Sequence, residues 1–391
     1  MKNLLYAIAV CMLVAGCEKP GPEQINNETI TKRILSEPET TMKNNLDQAA
    51  QLLAEVVQDQ SVMDELEALS NEDRKFFSLS FADLLDDTKS TAGQFMNLRQ
   101  KFIDKCGSAE SKGDGSDLAG FLSKNDCYIY CPYPADFYPG RPTSFTLASH
   151  PIDNDIENTG YSFEGGRMHK VTVNEKYADK YQVLLVMPRD EDNDDPAGLA
   201  GKEVQASKGD INEVRTGKVR CAAFCGGLFE GTLELRIVRG FPEINAITGD
   251  IKGSFSTVIP VNYPRDYAKA AINNWTVHSE GGWYSVNSIW DSNWKTSKTQ
   301  QCILVYEYDK VNETSVSATV GYKKDELTTG LTVTAKTTYS GDFLGLSEWD
   351  RDWFFATNRN PGIYDEVKDG WVVRKTCPYF KLNTPLRVIY Y

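Results

Sequence analysis

The chain has 391 residues, of which 41% are hydrophobic and 11% aromatic, and its formal net charge is −13. That length and apolar content suffice for two or three packed cores and exclude a disordered or fibrous chain. A surface with this excess of carboxylates repels phosphate backbones, so neither DNA nor RNA is expected as a partner.

The first segment reads as a secretory signal. Met1-Lys2-Asn3 gives a basic start, Leu4 to Val14 an apolar run, and Ala15-Gly16 the small residues a signal peptidase needs. The run is about eleven residues, against the about 20 that a membrane-spanning helix requires. Cys17, directly after the small residues, resembles the cysteine of a bacterial lipobox. The resemblance implies a diacylglyceryl thioether on its sulfur and acylation of the new amino terminus. Two or more chains hold a protein on a bilayer where one does not. Glu18 stands where Asp often signals inner-membrane retention, which implies the outer membrane, with the leaflet open. Residues 17–40, rich in Pro, Glu, Asn and Thr, read as a flexible linker.

From 41 to 106 the apolar period is helical. Leu46, Ala50, Leu53 and Val57 form a one-sided stripe. Ser61 with Asp64, and Ser70 with Asp73, predict the starts of a second and a third helix, the latter carrying Phe77, Phe81 and Leu84. Ser90 or Thr91 opens a fourth with Phe95, Leu98 and Phe102. Short helices with narrow apolar faces predict a small bundle. Residues 107–126 read as a loop.

After 126 the sequence turns to strands broken by Asp, Asn, Gly and Pro, with no βαβ alternation. The expected class is α+β, mainly β: a helical bundle over 41–106, then antiparallel β-sandwich-like domains over 127–265 and 266–391. The final domain is somewhat similar to a C2-type sandwich in strand content. Two acidic tracts fall between strands. Asp190, Asp192 and Asp194 match the first three ligand positions of a calcium loop, but Asp195 stands where Gly is needed and Gly201 where Glu is needed. An EF-hand is excluded; loose calcium binding is the alternative to a solvated turn.

Once Cys11 leaves with the signal and Cys17 is acylated, Cys106, Cys127, Cys131, Cys221, Cys225, Cys302 and Cys377 remain, an odd set that cannot all pair. Cys127/Cys131 and Cys221/Cys225 share a C-x₃-C spacing in strand-like runs. Four extended residues span roughly 13 Å, and a bridge needs Cα atoms within about 7 Å, so neither run closes on itself. Cross-strand bridges 127–225 and 131–221 require the runs to be antiparallel neighbours. Small buried hydrophobes are the expected state, and no turn residues favour zinc.

All seven Trp lie between 275 and 371. Trp283, Trp290 and Trp294, beside Gly281-Gly282, are the candidate platform for a sugar ring, against the competing role of core filler. Catalytic signatures are sparse. The three His, at 150, 169 and 278, form no metal-binding pair, and G-x-S-x-G and phosphate-loop spacings are absent. Glu307 and Asp309 alternate onto one strand face, roughly 7 Å apart, which suits an acid–base pair if they line a cleft. The competing reading is a solvated strand end.

Tyr128 to Tyr133, Val238-Arg239-Gly240, Trp290-Asp-Ser-Asn-Trp294, Glu307-Tyr-Asp309 and Trp349 to Asn358, in this order behind the lipobox, resemble uncharacterised lipoproteins of Bacteroidota bacteria. These motifs are aromatic and structural, so they imply kinship and no activity. The expectation is a non-catalytic envelope lipoprotein on the outer membrane, held by acylated Cys17 and binding a glycan or protein partner. The alternative is a polysaccharide hydrolase using Glu307 and Asp309.

Overall fold

A computed structural model describes residues 34–72, 77–86, 88, 94–110, 117–138, 144–154, 156–188, 211–224, 227–244, 251–296, 298–308, 314–324, 327–337 and 343–389. The fold is mixed α+β with substantial sheet content. Among the described residues, no helix is long and apolar enough to cross a membrane.

The first sheet holds β1 (Phe77–Ser80), β2 (Cys127–Cys131), β3 (Thr146–Ser149), β4 (Glu157–Glu164), β5 (Arg167–Asn174) and β6 (Val183–Pro188), in the order β1-β2-β6-β3-β4-β5. β3 and β6 run parallel and every other neighbour is antiparallel, so the expectation of wholly antiparallel pairing is corrected at this junction. Five helices, α1 (Glu37–Val56), α2 (Gln60–Glu72), α3 (Phe81–Leu85), α4 (Met96–Glu110) and α5 (Leu118–Lys124), contribute to the cover on one face. Ser36 starts α1 through a capping box with Glu39, and Pro38 lies in its first turn, where its missing N–H costs nothing.

The helices bury their stripes on the sheet as well as on one another. Leu46, Leu53, Leu98 and Phe102 share a core with Ile129, Leu147, Leu184 and Val186, so the freestanding bundle expected over 41–106 becomes a layer. The third helix is also shorter than its spacing predicts. Phe77 pairs with Cys131 in the edge strand β1, and helix begins only at Phe81, where the Ser80 hydroxyl accepts from the Ala82 N–H. α5 occupies part of the expected loop 107–126, capped by Asp117, whose carboxylate accepts from the Gly120 N–H.

The opposite face is covered by Tyr133, Phe137, Tyr138 and the turn carrying Leu228 and Phe229. Burial on both faces explains the unbroken run Val183-Leu-Leu-Val-Met: Leu184 and Val186 face the helices, and Val183, Leu185 and Met187 face away. Between β5 and β6 lies the short helix α6 (Glu175–Ala178).

A second sheet has the order β10-β7-β17-β16-β15, built from β7 (Ile211–Cys221), β10 (Tyr284–Asp291), β15 (Val367–Lys368), β16 (Trp371–Lys375) and β17 (Phe380–Asn383). β18 (Leu386–Ile389) also joins β7. A third sheet has the order β14-β11-β8-β9, from β8 (Leu233–Ile244), β9 (Ile251–Tyr263), β11 (Gln300–Glu307) and β14 (Phe343–Asp350). β12 (Thr314–Lys324) and β13 (Leu327–Thr337) form a hairpin. The second and third sheets enclose one core, in which Val214, Val219 and Leu382 meet Leu235, Ile237, Ile303 and Val305, a β-sandwich-like arrangement. β7, β8 and β9, grouped by the sequence reading with the strands before them, share this core with the strands that follow.

β7 takes two partners along one edge. β17 pairs with Val219 to Cys221 and β18 with Ile211 to Val214, leaving Thr384-Pro385 opposite the middle. There the backbone comes close: a Cβ on Gly217 would lie 2.2 Å from Asn383 Oδ1 and 2.7 Å from the Pro385 ring. Glycine is what the crossover requires.

α7 (Arg265–Asn273) bridges the sandwich and the first sheet. Arg265 Nη2 donates to Glu175 Oε2 at 3.0 Å, Lys269 lies 3.1 Å from Glu175 Oε1, and the Tyr133 hydroxyl donates to the same carboxylate. Burial alone would raise the Glu175 carboxyl, but the Arg265 guanidinium, followed by Lys269 and the Tyr133 hydrogen bond, outweighs it and holds the group below its ordinary value. The described cysteines are buried, and Cys127, Cys131, Cys221 and Cys302 are in no disulfide. Cys131 in β2 and Cys221 in β7 lie in different sheets and are unbridged, which excludes the 131–221 pair; Cys225 lies outside the described residues.

Candidate ligand-binding face

The tryptophans singled out for a platform are placed in two ways. Trp290 is 2% exposed and Trp294 fully buried, their ring centroids 5.5 Å apart, with Trp349 5.0 Å from Trp290 and Phe354 4.9 Å from Trp294. Neither can offer a face to a sugar, which corrects the proposed row. Strand alternation turns Trp290 inward, and the Trp294 indole N–H donates to the Lys298 carbonyl at 2.7 Å, satisfying its polar edge inside the core. Trp283 is half-buried at the start of β10.

The exposed aromatic face lies elsewhere. α8 (Arg351–Arg359) starts at Asp350, whose carboxylate accepts from the Trp353 N–H at 2.9 Å. Phe354, Phe355, Thr357 and Asn358 turn into the core, and Trp353, off that stripe, is 45% exposed. The turn Pro361–Ile363 then folds the chain back so that Tyr364 meets Trp353, ring centroids 5.9 Å apart. Ile363 and Val367 are also exposed.

Beneath this face Arg374 rises from β16. Its guanidinium carbon lies 4.0 Å from the Phe354 ring centroid, 5.0 Å from Trp353, 5.3 Å from Trp349 and 5.9 Å from Tyr364. Nε donates to Thr384 Oγ1 and Nη2 to the Phe354 carbonyl, both at 3.3 Å; the Tyr364 phenol also interacts with the guanidinium, and Nη1 meets no carboxylate. Arg374 is only 3% exposed, and no carboxylate among the described residues pairs with it. Burial lowers its pKa to about 10, against a partial offset from the Tyr364 phenol. Four ring faces thus stand in for a counter-ion.

Glu307 is buried at the end of β11, paired in register with Leu235. It is neither a solvated strand end nor a carboxylate open to substrate. Its charge contributes to raising the buried Cys221 thiol, after desolvation, the main cause. Asp309 lies outside the described residues, as do Asp190, Asp192, Asp194 and Cys17. Among the described residues no three His, Cys, Asp or Glu side chains gather to hold a metal ion.

A groove of about 1080 Å³ runs between α1 and α4, lined by Gln48, Gln51, Glu55, Asp59, Lys101 and Lys105 among others. Lys101 lies 2.6 Å from Asp59, and Lys105 pairs with Glu55, so most of its charge is neutralised internally. The Lys101 hydrogen bond, with Ser61, lowers Asp59 to about 2. The groove has no aromatic lining. No protein-family model, no curated relative and no solved structure matches this chain, so the chemistry of the face rests on its own geometry.

Proposed function

We propose that this chain is a non-catalytic, lipid-anchored protein of a bacterial envelope, on the outer membrane, that uses the Trp353–Tyr364 face to bind a saccharide. The observation that carries the reading is the exposed Trp353 ring beside Tyr364, with the Arg374 guanidinium packed 5.0 Å from the indole. Acylation of Cys17 is supported by the apolar run and small residues before it.

Calorimetric titration of the unacylated chain from residue 18 onward, with saccharides selected on a glycan array, tests the binding. Trp353→Ala should weaken it at least tenfold, about 1.4 kcal/mol, while Trp283→Ala leaves it unchanged. Equal affinities for wild type and Trp353→Ala would sink the reading. Palmitate labelling that persists in Cys17→Ala would remove the anchor.

A further inference from the structure

We infer that the saccharide bound at this face carries a carboxylate, as a uronic acid does, and that Arg374 Nη1 is the group that receives it. This rests on the saccharide reading above and names the ligand class within it. A buried guanidinium is ordinarily matched by a carboxylate of its own chain, because an uncompensated charge inside a protein is costly. Elsewhere in this molecule that rule holds: Arg239 Nη1 lies 2.6 Å from Asp291, and Arg265 is paired with Glu175. Arg374 departs from it. Two of its nitrogens are committed to a hydroxyl and a carbonyl, and the third, with the Tyr364 phenol as a neighbour of the guanidinium, meets no carboxylate.

The neighbouring cations and anions do not change this count. Glu366 is taken by Lys381 at 2.9 Å, with Lys375 3.7 Å away, and Asp352 lies 3.6 Å from Arg351. The four rings around Arg374 differ in access. Trp349 and Phe354 are buried, whereas Trp353 and Tyr364 reach solvent, so a ligand that engages Arg374 must approach it past those two rings. A pyranose stacked on Trp353 could direct a ring carboxylate past them. Guanidinium and carboxylate match in charge and in planar donor–acceptor geometry, which a neutral sugar hydroxyl does not reproduce.

The test compares oligogalacturonate with the same oligomer methyl-esterified, titrated into the unacylated chain from residue 18 onward. The acidic form should bind at least tenfold more tightly, and its advantage should shrink as salt rises. Arg374→Lys, which keeps a charge but loses the planar fork, should reduce that advantage severalfold while melting with a single transition. Equal affinity for acid and ester would overturn this inference and leave the saccharide reading standing; failure of both oligomers alongside a positive neutral glycan would do the same. No binding to any saccharide overturns both. Should Arg374→Lys fold poorly, a crystal structure of the unaltered chain with oligogalacturonate decides. A carboxylate oxygen about 2.7–3.2 Å from Nη1 supports the assignment, and a carboxylate placed anywhere else overturns it.

Discussion

Removing one buried carboxyl should change how stability depends on pH. Asp266, in the first turn of α7, is buried, and its Oδ2 accepts from the Ser279 hydroxyl. Desolvation raises its pKa from 3.8 to about 6, offset in part by the Ser279 hydrogen bond and by the backbone N–H groups of Tyr267 and Asp266, with Asp136 adding a small repulsion. A carboxyl whose folded value lies above its unfolded one favours folding fully only below the unfolded value, near pH 4, and that advantage is lost as pH rises through about 6. Two pKa steps at 1.36 kcal/mol each amount to about 3 kcal/mol at neutral pH. Asp266→Asn keeps an acceptor for Ser279 and abolishes the titration. Urea unfolding of both proteins at pH 4, 5, 6 and 7 should show the variant gaining about 2–3 kcal/mol relative to wild type across that range, mostly between pH 4 and 6.5. Parallel curves would refute the argument, because Asp266 would then be solvated or paired in both protonation states.

Other outcomes follow from the packing. Gly282 has φ +85°, and an added Cβ would lie 2.5 Å from Ala271 Cβ and 2.9 Å from its backbone nitrogen, so Gly282→Ala should cost at least about 2 kcal/mol in a denaturant melt. Asp291 accepts from Gln301 Nε2 at 2.6 Å and pairs with Arg239; Asp291→Ala, which strips both of that partner, should cost about 3–5 kcal/mol in the same assay. Burial pushes the Cys127 and Cys131 thiols up to about 12 and Cys302 to about 11. Iodoacetamide at pH 8 should therefore label none of the three until denaturant is added, as peptide mass mapping would show.

The periodic parts of the fold were legible and the long-range ones were not. Leu46, Ala50, Leu53 and Val57 announce α1 because their spacing depends only on helix geometry, and all four are buried. Phe77 misleads because an aromatic at helical spacing is equally at home in an edge strand, and the choice is made by Cys131 across the ladder. The parallel pair β3/β6 leaves no local mark, since it is made by residues from distant stretches. The aromatic face was partly readable. Asp350 sits three residues before Trp353, as an N-cap does, and Phe354, Phe355 and Asn358 define an inward stripe that omits Trp353. Trp290 and Trp294 outweighed that signal by number, yet clustering in sequence says nothing about which way rings point. Arg374 was invisible because its meaning lies in what fails to pair with it.

The double partnering of β7 sets a schedule for folding. Its edge is completed by β17 and β18, the latter through register pairs such as Ile211 with Ile389. A chain synthesised from its amino end at roughly 5–20 residues per second carries β7 for roughly ten to forty seconds before that last neighbour exists. Through that interval the strand presents open N–H and C=O groups to any other extended segment nearby. Closure must bridge a long sequence separation, which makes it slow, and slowing synthesis through the later strands lengthens the period in which two nascent copies can pair wrongly.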